Sequence, residues 1–333
     1  MKTTSVMIQS LCVPCYNHCR HCLLSWNDRV EGAPWERSIL TAERFINEIQ
    51  AQRPELEISF SFGYSMEHPD LKGAIRTLRR LGSPTASFLQ CDGMQMRDAE
   101  SFAILMQMLK AEGIEELNFT VYGLAEYHDR FAGRQGDYAL LIRMMQAAAQ
   151  ASIPFSIGIP VTKENIMQVD PLVDTLKALG SEKIRLFIPH EEGRGKTLAG
   201  IRLCTDDLLH ISADSRALLN DRAFRTEADW ISQKEPVQET RRSILISLRE
   251  DNIADYEKRT ALSVLEEIEE FDEQYYASFP SFGELAVTYG DPNGKQLYQY
   301  RDLYHHYRRL YAEEHDVHVY DVTDERQSGS RRA

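Results

Sequence analysis

Cysteine is scarce along most of this chain. Of six cysteines, four fall between residues 12 and 22, in CVPCYNHCRHC, and only Cys91 and Cys204 lie elsewhere. Long apolar runs are missing too. No stretch approaches the ~18–20 residues that a membrane span requires, so the membrane is not an expected partner. The opening MKTTSVMIQS has one lysine and no apolar core of the kind a secretory leader needs. The expected location is therefore cytoplasmic, where thiols stay reduced and crowded cysteines serve more often as metal ligands than as disulfides. Basic residues are outnumbered, 38 Lys and Arg against 51 Asp and Glu, for a net charge of −13. A phosphate backbone selects the opposite balance, so nucleic acid is not an expected partner either. Short basic clusters such as RTLRR at 76–80 sit among acidic residues and read as solvated helix faces. What is present, 43% hydrophobic and 27% charged over 333 residues, suits a globular protein with a substantial core.

Strand-like and helix-like stretches alternate from residue 6 to about 220. The β-branched and aromatic runs at 6–13, 56–62, 85–90, 116–122, 154–161 and 182–188 predict six strands. Segments of helical period follow them, at 42–52, 68–82, 98–113, 137–152, 170–180 and 205–219. Several open on Asp or Pro and close on Gly, with Asp170 and Thr205 as expected caps. Six β-then-α units in order predict an α/β fold with parallel strands. Six are two short of a closed eightfold barrel, so the expected architecture is a partial (β/α)6 barrel over 1–220. From 221 to 333 the spacing reads as a helical C-terminal extension, ending in a frayed tail, DERQSGSRRA.

The cysteine segment has the spacing C12-x2-C15-x3-C19-x2-C22. A closed four-thiolate zinc site would be cramped, because only three residues separate Cys15 from Cys19 and zinc pairs are ordinarily a dozen or more apart. Closely spaced cysteines on one loop suit an iron–sulfur cluster, whose soft thiolate ligands sit on several irons. Cys12 reads either as a spare ligand or as a small buried residue. A closed site on Cys12, Cys15, Cys19 and Cys22, in a non-catalytic zinc or electron-transfer protein, stands as the alternative function.

The sub-pattern Cys15-Tyr-Asn-His-Cys19-Arg-His-Cys22, just after the first strand of a β/α series, resembles the CxxxCxxC signature of the radical S-adenosylmethionine (radical SAM) superfamily. The resemblance implies a partial (β/α)6 barrel. It also implies a [4Fe–4S] cluster held by Cys15, Cys19 and Cys22, with its fourth iron open to S-adenosylmethionine. His21 stands where the family has an aromatic residue packed on adenine. Phe62-Gly63-Tyr64-Ser65 aligns with the family's Gly-Gly-Glu-Pro, so Gly63 matches, the Glu does not, and Gly63 and Tyr64 fall beside the methionine amino group. QCDG (90–93) and FTVYG (119–123) resemble the TNG and SLDG of the SPASM and molybdenum-cofactor branches, which makes Asp92 and Thr120 candidate cofactor contacts. PVTKEN (160–165) and HEEGRG (190–195) resemble the ends of the fifth and sixth strands, and add Asn165 and Arg194. The cysteines that bind auxiliary clusters in SPASM members have no counterpart after Cys204. The implied activity is reductive cleavage of S-adenosylmethionine to a 5′-deoxyadenosyl radical, which takes hydrogen from a small-molecule or peptide substrate. A flavodoxin- or ferredoxin-like electron donor is the implied partner.

Other residues carry two readings each. Cys91 is either a strand-end core thiol or a catalytic hydrogen donor at the cavity. The trio His128-Asp129-Arg130 is either loop chemistry or the start of a helix. Tyr300, Tyr304, Tyr307 and Tyr311 fall at helical spacing and predict a packed face more than a cavity lining.

Overall fold

A computed structural model describes residues 1–10, 15–23, 32–62, 65–83, 86–219, 224–233, 241–320 and 328–332. The expected β/α order is observed. It runs β1 (Lys2–Ser10), α1 (Trp35–Gln52), β2 (Glu57–Ser61), α2 (Leu71–Arg80), β3 (Phe88–Gln90), α3 (Ala99–Ala111) and β4 (Glu116–Thr120). Two helices, α4 (Ala125–Ala132) and α5 (Asp137–Gln150), then precede β5 (Phe155–Pro160), α6 (Val169–Ala178) and β6 (Lys183–Phe187). Strands β3, β4, β5 and β6 pair in that order, all parallel, and β2 pairs in parallel with β1. The fold is a partial parallel α/β barrel.

Each strand alternates with period two, and the two faces differ in chemistry. Val6, Ile8, Phe60, Leu117, Phe119 and Ile157 point outward and are almost wholly buried against the helices. Each such side chain contributes about 1.5–3 kcal/mol by leaving water. Ser5, Ser59, Gln90, Asn118, Ser156 and Arg185 point the other way, into a shared cavity. Helices α2 and α3 begin on Asp70 and Asp98, whose carboxylates accept from the amides of Gly73 (2.9 Å) and Ser101 (2.8 Å). Asp170 does not cap α6 as expected. It lies within the first turn, and its carboxylate instead accepts from the amide and hydroxyl of Ser212. The expected helix at 205–219 is a 3-10 turn, Thr205–His210, followed by the short α7 (Ala213–Ala217).

The C-terminal part adds strands to the expected helical extension. It contains β7 (Arg225–Thr226), α8 (Glu227–Ile231), α9 (Ile253–Tyr256), α10 (Ala261–Ala277), α11 (Phe282–Tyr289), β9 (Leu297–Tyr298) and α12 (Tyr300–Glu314). It also contributes β8 (Arg241–Leu248), which pairs in parallel with the free edge of β1, and β10 (Gly329–Arg332), which pairs antiparallel with β8. RRSILISL alternates Ser243 and Leu245, toward the cavity, with Arg242, Ile244 and Ile246, buried outward. The outward guanidinium of Arg242 lies 3.0 Å from the buried Asp272 of α10, which fixes helix to strand. The expected frayed tail is thus, at 329–332, an edge strand. The C-terminal tyrosines do form a packed face. Tyr307 and Tyr298, with Leu285 and Leu303, make a small separate core between α11 and α12. No helix among the described residues is long and apolar enough to cross a membrane.

Candidate active site at the mouth of the barrel

Strands β1 to β6 and β8 all contribute side chains to one cavity of about 1120 Å³. Cys15, Cys19, His21, Cys22, Asp92, Gly93, Thr120, Tyr122, Phe187 and His190 line it from just beyond the C-terminal strand ends. In parallel α/β folds this is the end at which ligands bind.

The cysteine loop is docked there by backbone hydrogen bonds. The amides of Tyr16, His18 and Arg20 donate to the carbonyls of Gly93 (2.9 Å), Ala132 (2.8 Å) and Phe131 (3.0 Å). Arg194 clamps the far side, donating from its amide to the Cys22 carbonyl and from Nε to the Cys19 carbonyl, both at 3.0 Å. Two glycines make the close approach sterically feasible. Gly93 has φ +64°, and a Cβ there would stand 2.3 Å from Cys15 Sγ. Gly193 has φ +56°, and its Cβ would stand 2.5 Å from the Cys22 carbonyl oxygen. Both positions exclude any larger residue, on conformation and on space.

Burial governs two of the thiols. It pushes Cys15 up to about 11, partly offset by the hydrogen bond to the Asn17 carbonyl. It raises Cys19 further, against the pull of the Tyr122 hydroxyl, which donates to Cys19 Sγ at 3.0 Å. Among the described residues no three His, Cys, Asp or Glu side chains converge on a single-ion site. His21 sits inside an aromatic cage, its centroid 5.2 Å from Tyr122, 5.7 Å from Phe131 and 6.5 Å from Phe187. Its Nδ1 is buried without a hydrogen-bond partner. Burial, then the charges of His190 and Arg194, lower its pKa to about 4.

On the opposite lip Asp92 and Thr120 form a unit. Asp92 Oδ1 accepts from the Thr120 amide and Oδ2 from the Thr120 hydroxyl, each at 2.8 Å, and Gln90 also donates to Oδ2. Burial raises the Asp92 pKa while these bonds pull it back. Thr120 was the expected ligand hydroxyl. Its proton is already committed to Asp92.

No family model matches the chain. Two curated relatives do. An AdoMet-dependent heme synthase of Methanosarcina barkeri is 25% identical over 186 residues, 54% of this chain and 49% of that one. A protein of the same description from Oleidesulfovibrio alaskensis is 26% identical over 194 residues, 55% of this chain and 45% of that one. By that description both relatives depend on S-adenosylmethionine. The chain spans about half the length of the curated relatives it matches. Among solved structures, Streptococcus suis SuiB bound to S-adenosylmethionine is 16% identical, with a TM-score of 0.45 over 74% of this chain and 50% of that one. HemN of Escherichia coli, a radical SAM coproporphyrinogen III oxidase, is 12% identical, with a TM-score of 0.42 over 74% and 63%.

In this chain Cys15, Cys19, Cys22, His21, Asp92 and Thr120 meet at the mouth, with Arg194 behind the loop. Three expected positions, Cys12, Gly63 and Tyr64, lie outside the described residues. Two others are not brought to the cavity. Cys91 is fully buried in the hydrophobic core, its Sγ donating to the Leu89 carbonyl, because β3 turns it to the helix side with Leu89. A hydrogen-donating role at the cavity is therefore corrected to a core thiol. Asn165 is a latch rather than a ligand contact. Its Nδ2 donates to the carbonyls of Tyr122 (2.6 Å) and Pro160 (2.8 Å), and its Oδ1 accepts from the Thr162 amide (2.8 Å), joining the ends of β4 and β5.

The His128-Asp129-Arg130 trio resolves toward scaffolding. The buried His128 Nδ1 accepts from the Tyr122 amide, so its proton lies on Nε2 and is donated to Asp137 at 3.1 Å. Asp129 accepts from the amides of Gly136 and Tyr138 at the start of α5. Two functional residues escape sequence reasoning. Tyr122, two positions after Thr120, shares its face of the strand end and so reaches the cluster loop. Glu191, in HEEGRG, is the hub that holds the mouth to the C-terminal helix. It accepts from Arg202 (2.9 Å), Arg309 (2.5 Å) and His306 (3.1 Å).

Proposed function

We propose that this chain is a radical SAM enzyme whose substrate enters the barrel cavity. The observation that carries the reading is the placement of the three thiols of the CxxxCxxC loop at the cavity mouth, beside an aromatic cage. The residues present fit the two groups this activity needs. Gly93 leaves room at Cys15 that any side chain would fill, and the cage around His21 keeps one polar ring atom, Nδ1, without a partner. Three thiols spaced closely on one loop suit a ligand with several metal atoms better than a closed single-ion site.

Cys15, Cys19 and Cys22 would hold a [4Fe–4S] cluster, which would supply the single electron for reductive cleavage of S-adenosylmethionine to methionine and a 5′-deoxyadenosyl radical that takes a hydrogen atom from substrate. The chain's own residues orient and shield. Tyr122 donates to Cys19 Sγ, and such a bond stabilises thiolate charge and tunes a cluster's potential. His21, Tyr122 and Phe187 form a slot for a flat base whose edge can meet His21 Nδ1. Asp92, kept acceptor-rich by Thr120, faces the cavity where ribose hydroxyls would need acceptors. Gly63 and Tyr64 keep their assignment to the methionine amino group as part of this proposal. A flavodoxin- or ferredoxin-like protein supplies the electron, and a small molecule or peptide is the substrate.

Anaerobic reconstitution with iron and sulfide, followed by dithionite and S-adenosylmethionine, tests the reading. The expected result is a brown chromophore near four irons per chain, and formation of 5′-deoxyadenosine. Cys19→Ala should lose both. A wild-type chain that binds iron but yields no 5′-deoxyadenosine would overturn the activity. Unchanged iron content in Cys19→Ala would overturn the ligand set.

A further inference from the structure

We propose that Arg185 is the anchor for an oxyanion, carboxylate or phosphate monoester, on a hydroxyl-rich substrate. This rests on the preceding reading that the cavity is the substrate site. Its basis is an accessible cation without an ion pair on the inner wall. Two cations of β6 point into the cavity, Lys183 and Arg185. Lys183 is neutralised by an ion pair with Glu116. Arg185 has no carboxylate partner among the described residues, and its one contact of note is the ring of Phe187, 5.7 Å from the guanidinium carbon. The guanidinium is exposed to the cavity, so its forked donors and charge are accessible to a carboxylate or phosphate on a ligand.

Strand register places that guanidinium. Arg185 pairs with Gly158 on β5, which pairs in turn with Thr120 on β4. Arg185 therefore lies in the layer next to the mouth, at the height of the Asp92–Thr120 unit, with Phe187 one layer above it. Gly158 contributes no side chain, and a Cβ there would press on the Phe187 ring at 3.1 Å. The Phe187 ring thus takes the place a Gly158 side chain would fill. The surrounding walls carry Ser5, Ser59, Ser61, Asn118, Ser156 and Ser243. These are hydroxyls and an amide, where eightfold barrels ordinarily pack branched aliphatic side chains. Such a wall can exchange hydrogen bonds with a polyhydroxylated ligand, and it offers little to an apolar macrocycle.

The test is equilibrium binding by calorimetry, on the full chain reconstituted anaerobically but not reduced, so that no turnover occurs. The probes are gluconate, glucose 6-phosphate and neutral glucose. At least one anion should bind tenfold or more tightly than glucose. Arg185→Gln should erase that preference, and Arg185→Lys should retain part of it, since a point charge lacks the fork. Preference for gluconate alone assigns a carboxylate, and for glucose 6-phosphate alone a phosphate. The proposal is overturned if neither anion exceeds glucose, or if Arg185→Gln keeps the preference. It is also overturned if that variant loses affinity for S-adenosylmethionine while still selecting the anion, which would assign Arg185 to the cosubstrate. Failure here leaves 5′-deoxyadenosine formation by the wild type untouched, so the two readings fall separately.

Discussion

The two faces of the barrel strands are built on opposite principles. On the outer face Val6, Phe60, Leu117, Phe119, Ile157 and Ile244 are sealed under helices. On the inner face, one residue along, stand Ser5, Ser59, Asn118, Ser156 and Ser243, small and polar around open space. Stability therefore resides in the shell, and the lumen is relieved of holding the fold together. The consequence is that shell and lumen substitutions should separate cleanly, one set reading out in unfolding and the other in ligand binding.

The shell carries the largest expected effect. Phe119 is fully buried and meets Phe155 edge to face at 5.9 Å. Phe119→Ala should cost about 3–5 kcal/mol, measured by urea denaturation. A loss below ~1 kcal/mol, well short of that range, would mean that the shell closes over the void and that the two faces differ little in their hold on the fold.

The rim, where the faces meet, should come next. Glu191 is almost wholly buried, and burial opposes its ionisation. The His306 hydrogen bond and the charges of Arg202 and Arg309 outweigh that, so its pKa lies below the usual 4.5. A depressed carboxyl pKa gives stability that is complete above the unfolded value and is lost as pH falls through the folded one. The melting temperature of the wild type should therefore drop more steeply below pH 4.5 than that of Glu191→Gln. At neutral pH the same variant should cost about 1.5–3 kcal/mol, the value of hydrogen bonds to a charged group. Parallel pH profiles would remove Glu191 from its place as the hub between β6 and α12.

A smaller effect belongs to the loop bed. Gly93→Ala forces a left-handed backbone position to carry a Cβ, at about 1–2 kcal/mol, and pushes that carbon onto Cys15 Sγ. The fold should survive while iron incorporation falls severalfold. Full iron loading in this variant would show that the loop can re-dock elsewhere, and that the mouth is less constrained than the shell.

How far these two faces could be read in advance varies along the chain. Strands β1 to β6 and most of their helices are local patterns of period 2 and 3.6, and they were legible. So was the cysteine loop, because its spacing carries its chemistry. The side to which a strand-end residue turns was legible in principle. Cys91 shares the parity of Leu89, not of Gln90 and Asp92, and parity alone sends it to the core. Strand β8 was not legible, because its partner β1 lies some 240 residues away in sequence, and RRSILISL adjoins a long helical stretch. Glu191 was hidden for a related reason. Two of its partners, His306 and Arg309, come from α12, more than a hundred residues away in sequence.

The lumen itself should give the smallest effect on stability. Ser156 accepts a hydrogen bond from Asn118 Nδ2 at 2.9 Å on the cavity wall, and both residues are only half-buried. Water can replace the Ser156 hydroxyl there, so Ser156→Ala should change unfolding free energy by no more than ~0.5 kcal/mol, as at exposed sites. The same variant removes one hydroxyl from the ligand-facing wall, level with Lys183 and one layer below Arg185. Binding of whichever anionic probe Arg185 selects should weaken severalfold, at an unchanged melting temperature. A destabilisation of ~2 kcal/mol, as large as that from breaking a rim contact, would show that the lumen wall is part of the structural core, and the division between the two faces would have to be redrawn.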